Sequence, residues 1–263
     1  MRYLISFEYL GSEFLGSQIQ KQDPTVQGEL TKAICTLTKN KNTKIIMSGR
    51  CDRGVSAYHH TAHFDTDFII SDKNKFLISL NAILPDSLKV FEIESIVASL
   101  HAQKSATYRH YRYKINNSLS GSAFDLNAYP NRMKMNIERM QVSIKHILGE
   151  HDFSAFRSTS DNPARVCKIY FANVRKDVDY ILIDIVGNRF LYNMVRAIVG
   201  TLLLIESKNL NSDFMKEVLE SKERKLAGAN VPACGLTLIK VGYDNPIDYV
   251  KKLNERQKHN ENL

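Results

Sequence analysis

The chain has few of the features that mark disulfide-rich, metal-binding or membrane-spanning proteins. It contains no tryptophan and four cysteines among 263 residues, and no two cysteines form a C-x-x-C pair or stand at zinc-ligand spacing from a histidine. Neither a zinc site nor a disulfide framework is indicated, and free thiols suit a reducing compartment. No apolar run approaches the length of a membrane span, and the opening MRYLISFEYL is too short for a signal peptide. We therefore expect a cytoplasmic protein without a membrane partner.

The charge balance is basic. Lys and Arg number 36 against 28 Asp and Glu, which gives a formal net charge of +8 and a pI near 9.2. These charges are spread along the chain, so a folded basic surface is expected in place of a disordered basic arm. Such a surface favours a polyanionic partner, although an ordinary basic soluble protein has the same composition.

Hydrophobic periodicity predicts the same series of elements twice. In the first half, alternation over residues 3–9 predicts a strand, and Asp23-Pro24 is typical of a helix start. Short strands at 44–47 and after residue 59, a helix ending before Pro85 and a strand from 88 complete the first series. The second series has a strand within TYRHYRYKI, a helix from about 136, strands near 166–175 and 180–186, a helix over about 189–206 and a closing strand in GLTLIKVGY.

Each series reads β-α-β-β-α-β, which predicts an α+β fold. We expect two ferredoxin-like halves whose antiparallel sheets adjoin, with helices on one face and a basic cleft between the halves. The predicted divisions are an N-terminal domain over residues 1–104, a C-terminal domain over 105–247 and a polar tail over 248–263, whose last stretch, ERQKHNENL, is expected to fray.

One short segment carries the candidate chemistry. In SGRCDRGVSAYHH, which spans residues 48–60, Asp52 stands between Arg50 and Arg53, and glycines on both sides let the chain turn sharply. A cation within a few ångströms would hold Asp52 ionised, lowering its pKa by about 1 to 3 units, and would make it a competent nucleophile or base. The alternative is a solvated ion pair that contributes roughly 0 to 1 kcal/mol.

Several segments together resemble one family. The chain is similar to the TruA family of tRNA pseudouridine synthases over about residues 3–243, through YLGSEFLGSQIQ, TVQGEL, GRCDRGVSA, LNAILPDSLKV, LHAQKSATYRHYRY, GEHDFSAF, FLYNMVRAIVGTLL and GLTLIKVGY. The resemblance implies the two-part sheet, a homodimer, no cofactor and no metal. It also implies conversion of uridine to pseudouridine in the anticodon arm of tRNA, at about positions 38 to 40, where weakly paired bases are easiest to extrude.

The resemblance assigns a role to four residues of this sequence. Asp52 matches the essential aspartate, and Arg50 matches the arginine linked to extruding the target base. Tyr111 matches the tyrosine that stacks on that base, and Arg196 matches the basic residue that pairs with the aspartate. Stacking contributes about 1 to 3 kcal/mol per base, which offsets part of the cost of base flipping.

Each of these residues also has an ordinary interpretation. Tyr111 could be an aromatic residue on a sheet face, and Arg196 could be an exposed arginine on a helix. Because Arg196 falls near the buried edge of its helix, we expect it to have a carboxylate partner. The histidines at 59, 60 and 63 look like a ligand cluster, but on a strand His60 would face away from the other two, which disfavours a metal site.

The sequence departs from the family pattern at several positions. Ser17 stands where the family has tryptophan, Cys51 replaces threonine, Arg53 replaces a small residue, Ser56 replaces histidine and Gln103 replaces arginine. These departures leave open a catalytically inactive tRNA-binding or RNA-binding protein on the same scaffold. A hydrolase that uses Asp52 is a weaker alternative, because glycoside hydrolysis normally needs a second nearby carboxylate, which this segment lacks.

Overall fold

A computed structural model describes residues 1–21, 24–123, 125–159 and 163–261, with side chains to residue 256. The chain forms two compact units. The first comprises Met1–Ala106 and Thr237–Val241, and the second comprises Thr107–Leu236 and Gly242–Leu263. The fold is mixed, with helices and strands in both units.

The first unit contains two helices beside its strands. Its elements up to residue 106 are β1 (Arg2–Tyr9), α1 (Val26–Thr38), β2 (Ile45–Met47), β3 (Ser56–Asp65), α2 (Lys73–Ile83) and β4 (Leu88–Ile96). Strand β1 lies between β3 and β4 and is antiparallel to both, and β2 is antiparallel to β3. The β-α-β-β-α-β order predicted for this part of the chain is confirmed.

The alternation in β1 produces the core of the first unit. Tyr3, Ile5 and Phe7 are fully buried, and Tyr3 stacks on Phe64 of β3 with ring centroids 5.7 Å apart. Leu30 and Ile34 of α1 and Phe76 and Leu80 of α2 are also buried. Helix α1 contacts α2 and β2, and α2 contacts β4. Burial of this apolar area stabilises the unit by roughly 25 cal/mol per Å².

Strand β10 (Leu236–Gly242) differs from the prediction. Its central residues Thr237–Val241 group with the first unit, although the sequence series placed them in the second half. They run parallel to β3, with Thr237 opposite Ser56 and Leu238 opposite Ala57, and β6 (Tyr129–Pro130) is likewise parallel to β5 (Tyr108–Asn116). The structure therefore adds two short parallel pairings to its antiparallel ones, which the sequence did not predict because periodicity identifies a strand but not its direction or its partner.

The second unit is built on a second antiparallel set of strands. Strand β9 (Tyr180–Gly187) lies between β5 and β8 (Val166–Asp177), and β8 also pairs with β7 (Gly149–Asp152). Helices α3 (Ile137–Lys145), α4 (Met194–Ser207) and α5 (Phe214–Ser221) contact one another, and α3 also packs on β8. Helix α4 begins at Met194, later than predicted, because Asn193 has left-handed backbone angles that a helix interior does not accept.

Helix α6 (Pro246–Glu261) covers most of the polar tail predicted over residues 248–263. Tyr249, Val250 and Leu253 pack against a cluster that contains Tyr108, and the Tyr108 and Tyr249 rings stack with centroids 4.6 Å apart. Three apolar residues in this polar sequence are therefore sufficient to dock the helix on an apolar surface.

A buried polar network joins α6 to the strands of the second unit. Asp184 is 1% exposed, and its Oδ1 accepts from Arg112 Nε and pairs with His110 Nε2, both at 2.8 Å. Arg112 Nη2 donates to Oδ2 at 3.2 Å, and His110 Nδ1 bonds to the Tyr249 hydroxyl at 2.9 Å. A buried carboxylate needs such partners, since an unpaired charge in the interior is strongly disfavoured.

Helix α1 has a different N-cap from the one predicted. The N-cap of α1 is Thr25, whose hydroxyl accepts from the Gly28 amide, and the predicted cap Asp23 lies outside the described residues.

Within the described part of the chain, no helix has the length and apolar character needed to cross a membrane.

Candidate active site

Asp52 lies in the loop between β2 and β3, residues 48–55, which we call the aspartate loop. Cys51 is buried, Asp52 is half-buried, and Arg50 and Arg53 are exposed. The Val55 amide donates to the Asp52 carbonyl at 3.1 Å. The loop therefore presents a half-buried aspartate between two exposed arginines.

The turn that follows Asp52 depends on a glycine. Gly54 has a φ of 84°, in the left-handed region that other residues rarely adopt, and it lies within the turn closed by the Asp52–Val55 hydrogen bond. This confirms the predicted use of a glycine to turn the chain sharply beside the carboxylate.

A second segment, residues 10–19, forms hydrogen bonds to the backbone before Asp52 and to the residue that follows the aspartate loop. We call it the supporting segment. Its Gly11 amide donates to the Ser56 hydroxyl at 2.9 Å, just after the loop. A side chain at Gly11 would lie 2.4 Å from the carbonyl carbon of Val55, so only glycine permits this approach. Ser17 bonds to Cys51, directly before Asp52. The sequence interpretation missed these contacts, since YLGSEFLGSQIQ was recognised there only as part of the family resemblance.

Tyr111 lies on β5 in the second unit. It is half-buried, and its ring meets the Phe190 ring edge to face with centroids 5.1 Å apart. Arg109, two residues earlier and therefore on the same strand face, interacts electrostatically with Tyr111 and Arg189 and donates to the Asn188 carbonyl at 2.8 Å. Burial lowers the pKa of Arg109 from its usual value. Sequence reasoning missed Arg109, although the i, i+2 spacing within TYRHYRY could have identified it.

Arg196 lies on α4 and is half-buried, as its position near the buried edge of the helix predicted. Its Nε donates to the Val231 carbonyl at 2.7 Å, and its Nη1 donates to Asn193 Oδ1 at 2.9 Å. Asn193 in turn donates to the Ser158 hydroxyl at 3.0 Å. The guanidinium is thus held in a fixed orientation by a carbonyl and an amide.

The structure does not test how these residues combine. Asp52 and Arg50 belong to the first unit, and Tyr111 and Arg196 belong to the second. The carboxylate partner expected for Arg196 and the guanidinium expected beside Asp52 therefore stay predictions.

The three histidines of β3 have separate surroundings. His60 stacks on Phe7 with centroids 5.2 Å apart, and His59 meets Phe91 edge to face. His63 is 1% exposed, and its Nδ1 accepts from the Ala102 amide at 3.1 Å. Among the residues that the structure describes, no group of His, Cys, Asp and Glu is arranged to hold a metal ion.

His63 gives the first unit a predicted dependence on pH. Burial, with Arg2 and His101 nearby, lowers the pKa of His63 to about 4. The unfolded chain takes up this proton at about pH 6.5, so the free energy of unfolding decreases as pH falls from about 6.5 towards 4. Burial and Lys240 lower the pKa of His59 as well, which adds in the same direction.

The substitution His63→Asn tests this dependence, since asparagine keeps an acceptor near the Ala102 amide but does not titrate. We expect urea unfolding at pH 7 and pH 5 to show a smaller loss of stability in the variant than in the wild type. Equal losses in the two proteins would contradict a neutral, buried His63.

The chain is similar to known proteins over most of its length. A family model described as tRNA pseudouridine synthase matches residues 143–244. A protein of Anoxybacillus flavithermus called tRNA pseudouridine synthase A is 36% identical over 245 residues, which cover 93% of this chain and 99% of the relative. The chain belongs to the tRNA pseudouridine synthase family. The predicted family and enzyme class, an isomerase, are thereby confirmed.

Other members of the family also align with this chain over nearly their whole length. Proteins called tRNA pseudouridine synthase A from a Geobacillus strain and from Bacillus subtilis are each 37% identical over 93% of this chain, and the alignments cover 99% and 100% of them. A solved Cbf5-Nop10-Gar1 complex aligns with 90% of this chain at 11% identity and a TM-score of 0.41, a likeness too weak to bear on function.

Proposed function

We propose that this synthase converts uridine to pseudouridine in the anticodon stem-loop of tRNA, at about positions 38 to 40, with Asp52 as the catalytic carboxylate. The observation that carries the proposal is the aspartate loop itself. A half-buried carboxylate is mounted between two exposed arginines on backbone that is hydrogen bonded before and after it. Catalytic groups need such fixed positions, whereas a surface ion pair does not.

The reaction is an isomerisation within one nucleotide. The bond from uracil N1 to the ribose breaks, the uracil turns, and a new bond forms between C5 and the ribose. C5 loses its proton and N1 gains one, so the nucleotide keeps its composition and no electrons are exchanged with a second reactant. Asp52 acts as a nucleophile or as a base, at the ribose or at the uracil. Its partial shielding from water preserves the strength of its interaction with the reacting atoms.

Three other residues act on the substrate in this proposal. Arg50 is an exposed residue of the aspartate loop, which suits a role in displacing the target base from its stack. Tyr111 presents a half-buried ring held by Phe190, and a fixed aromatic face is suited to stacking on an extruded uracil. Arg196, oriented by Val231 and Asn193, supplies a fixed positive charge for an anion of the site.

We also propose the finer architecture implied by the family. The order β4-β1-β3-β2 in the first unit, with two intervening helices, supports a ferredoxin-like arrangement there. The homodimer expected from the resemblance and the cytoplasmic location are likewise proposals.

An assay on an unmodified tRNA transcript tests the proposed function. The purified protein is incubated with the transcript, and pseudouridine is mapped by carbodiimide treatment and primer extension. We expect stops at about positions 38 to 40 that grow with time. Binding of tRNA without any pseudouridine would favour the inactive RNA-binding alternative, stops elsewhere would overturn the assigned position, and free uracil or a cleaved strand would indicate a hydrolase.

A further inference from the structure

We propose that Ser17 is a positioning residue for Asp52, acting through the backbone of Cys51. This inference rests on the proposed catalytic role of Asp52. Ser17 itself is fully buried and contacts the aspartate loop at the residue immediately before the carboxylate.

Ser17 makes two hydrogen bonds to one residue. Its hydroxyl accepts from the Cys51 amide at 2.8 Å, in a buried environment, and its own amide donates to the Cys51 carbonyl at 3.0 Å. Both backbone polar groups of Cys51 are therefore fixed by Ser17. The backbone one residue from Asp52 has little freedom to move unless these bonds break.

Ser17 is itself fixed to the regular elements of the first unit. Its carbonyl accepts from the Gln27 amide in α1 at 2.9 Å. The Gln27 side chain accepts from the Ile19 amide at 3.0 Å and donates to the Ile45 carbonyl of β2 at 2.8 Å. The position of Cys51 is thus fixed relative to both helix α1 and strand β2, which leads into the aspartate loop.

Loss of the hydroxyl would affect the loop more than the fold. Without it, Ser17 offers the buried Cys51 amide no acceptor, and an unsatisfied buried donor drives the backbone to find another one. The amide-to-carbonyl bond between the two residues would remain, so the segment stays attached while the loop shifts. A displacement of about 1 Å at a catalytic group can lower a rate about 100-fold.

The test compares turnover and affinity in Ser17→Ala. We expect kcat for pseudouridine formation to fall about 10- to 100-fold while KM for tRNA stays within about threefold. Ser17→Thr retains the hydroxyl and should restore kcat to within about threefold of wild type. Ser17→Cys keeps the volume with a weaker acceptor and should give an intermediate rate.

Asn81→Ala provides a matched control in the same unit. Asn81 ties α2 to β4 through two bonds to the Val90 backbone, at 2.7 and 2.8 Å. Its loss should lower the melting temperature without lowering kcat, which separates a general loss of stability from loss of positioning.

Two outcomes would overturn the inference. The first is a kcat of Ser17→Ala equal to that of the wild type. The second is a loss of kcat in Asn81→Ala as large as the loss in Ser17→Ala when both variants have lost the same stability. Turnover by Asp52→Asn, measured in parallel, distinguishes these from failure of the proposed function. An inactive Asp52→Asn beside a fully active Ser17→Ala refutes only the positioning role.

Discussion

Asp52→Asn is expected to reduce pseudouridine formation by about four orders of magnitude or more, the scale on which removal of a catalytic group acts in other enzymes. The amide occupies nearly the same volume as the carboxylate, but it is uncharged and is neither a base nor a nucleophile of comparable strength. The Val55–Asp52 and Ser17–Cys51 hydrogen bonds are made by the loop backbone and by Ser17, so we expect the loop to keep its conformation in the variant.

Binding should respond far less than turnover. We expect the dissociation constant of the variant for tRNA to stay within about threefold of wild type, because contacts with the phosphate backbone provide most of the affinity. Single-turnover kinetics with excess enzyme, together with a filter-binding titration, separate the two quantities. Rapid turnover by the variant would remove Asp52 from the mechanism.

Asp86→Asn is the matched control for this experiment. Asp86 lies in the same unit, its side chain is fully exposed, and its partner is Lys89 three residues later. The identical change from carboxylate to amide at this site should leave the rate unchanged. Equal effects at the two positions would indicate that net charge, and not Asp52 itself, sets the rate.

Asp184→Ala is expected to lower the free energy of unfolding by about 3 to 5 kcal/mol. The substitution leaves the Arg112 guanidinium and His110 without their common carboxylate, and it removes the link through His110 to Tyr249 of α6. Breaking one side of a buried ionic network costs more than the network contributes, because the buried His110 ring and the partly buried Arg112 guanidinium lose the carboxylate that they share. Chemical denaturation followed by circular dichroism measures the loss.

The pH dependence of this network follows from the carboxylate. Burial opposes ionisation of Asp184, but the hydrogen bond and charge of His110 and the charge of Arg112 outweigh it and hold the pKa below its usual value. Because the unfolded carboxylate titrates at about pH 3.9, the stabilisation is present above that pH and is lost as pH falls through the native pKa.

A surface pair in the same unit provides the comparison. Asp177 contacts Arg175 at 3.4 Å and is about half exposed. Asp177→Ala should change stability by about 0 to 1 kcal/mol, since exposed ion pairs contribute little. A loss in Asp184→Ala no larger than this would show that the buried network does not stabilise the unit.

Local sequence patterns predicted those strands and helices in which residues close in sequence determine which face is buried. The alternation over residues 3–9 identified β1, and the predicted strands at 166–175 and 180–186 correspond to β8 and β9. The helix predicted to follow Asp23-Pro24 corresponds to α1. In each case, one face is buried against the rest of its unit, so the apolar period is visible in the sequence.

The remaining parts depend on contacts between distant residues. The pairing of β10 with β3 joins positions about 180 residues apart, as Thr237 and Ser56 show, and no local period records such a partner. Helix α6 has a largely polar sequence, so its docking depends on the particular surface formed around Tyr108.

The candidate site divides in the same way. Asp52 stood out because glycines and arginines surround one carboxylate, which is a local feature. Its supports did not stand out, since Ser17 lies 34 residues from Cys51 and Gly11 lies 45 residues from Ser56. Residue types can therefore suggest where chemistry occurs, while the framework that aims a reactive group emerges only from the folded backbone.

The parallel pairing of β10 also has a consequence for biosynthesis. The start of β3, directly after the aspartate loop, receives Thr237 and Leu238 as neighbours only after the ribosome has added about 180 further residues beyond Ser56. A nascent chain halted before residue 237 would leave this edge of the N-terminal unit uncovered. Maturation of the region around Asp52 is thus delayed until residues 237 and 238 have been synthesised, and products truncated before them should remain incompletely assembled there.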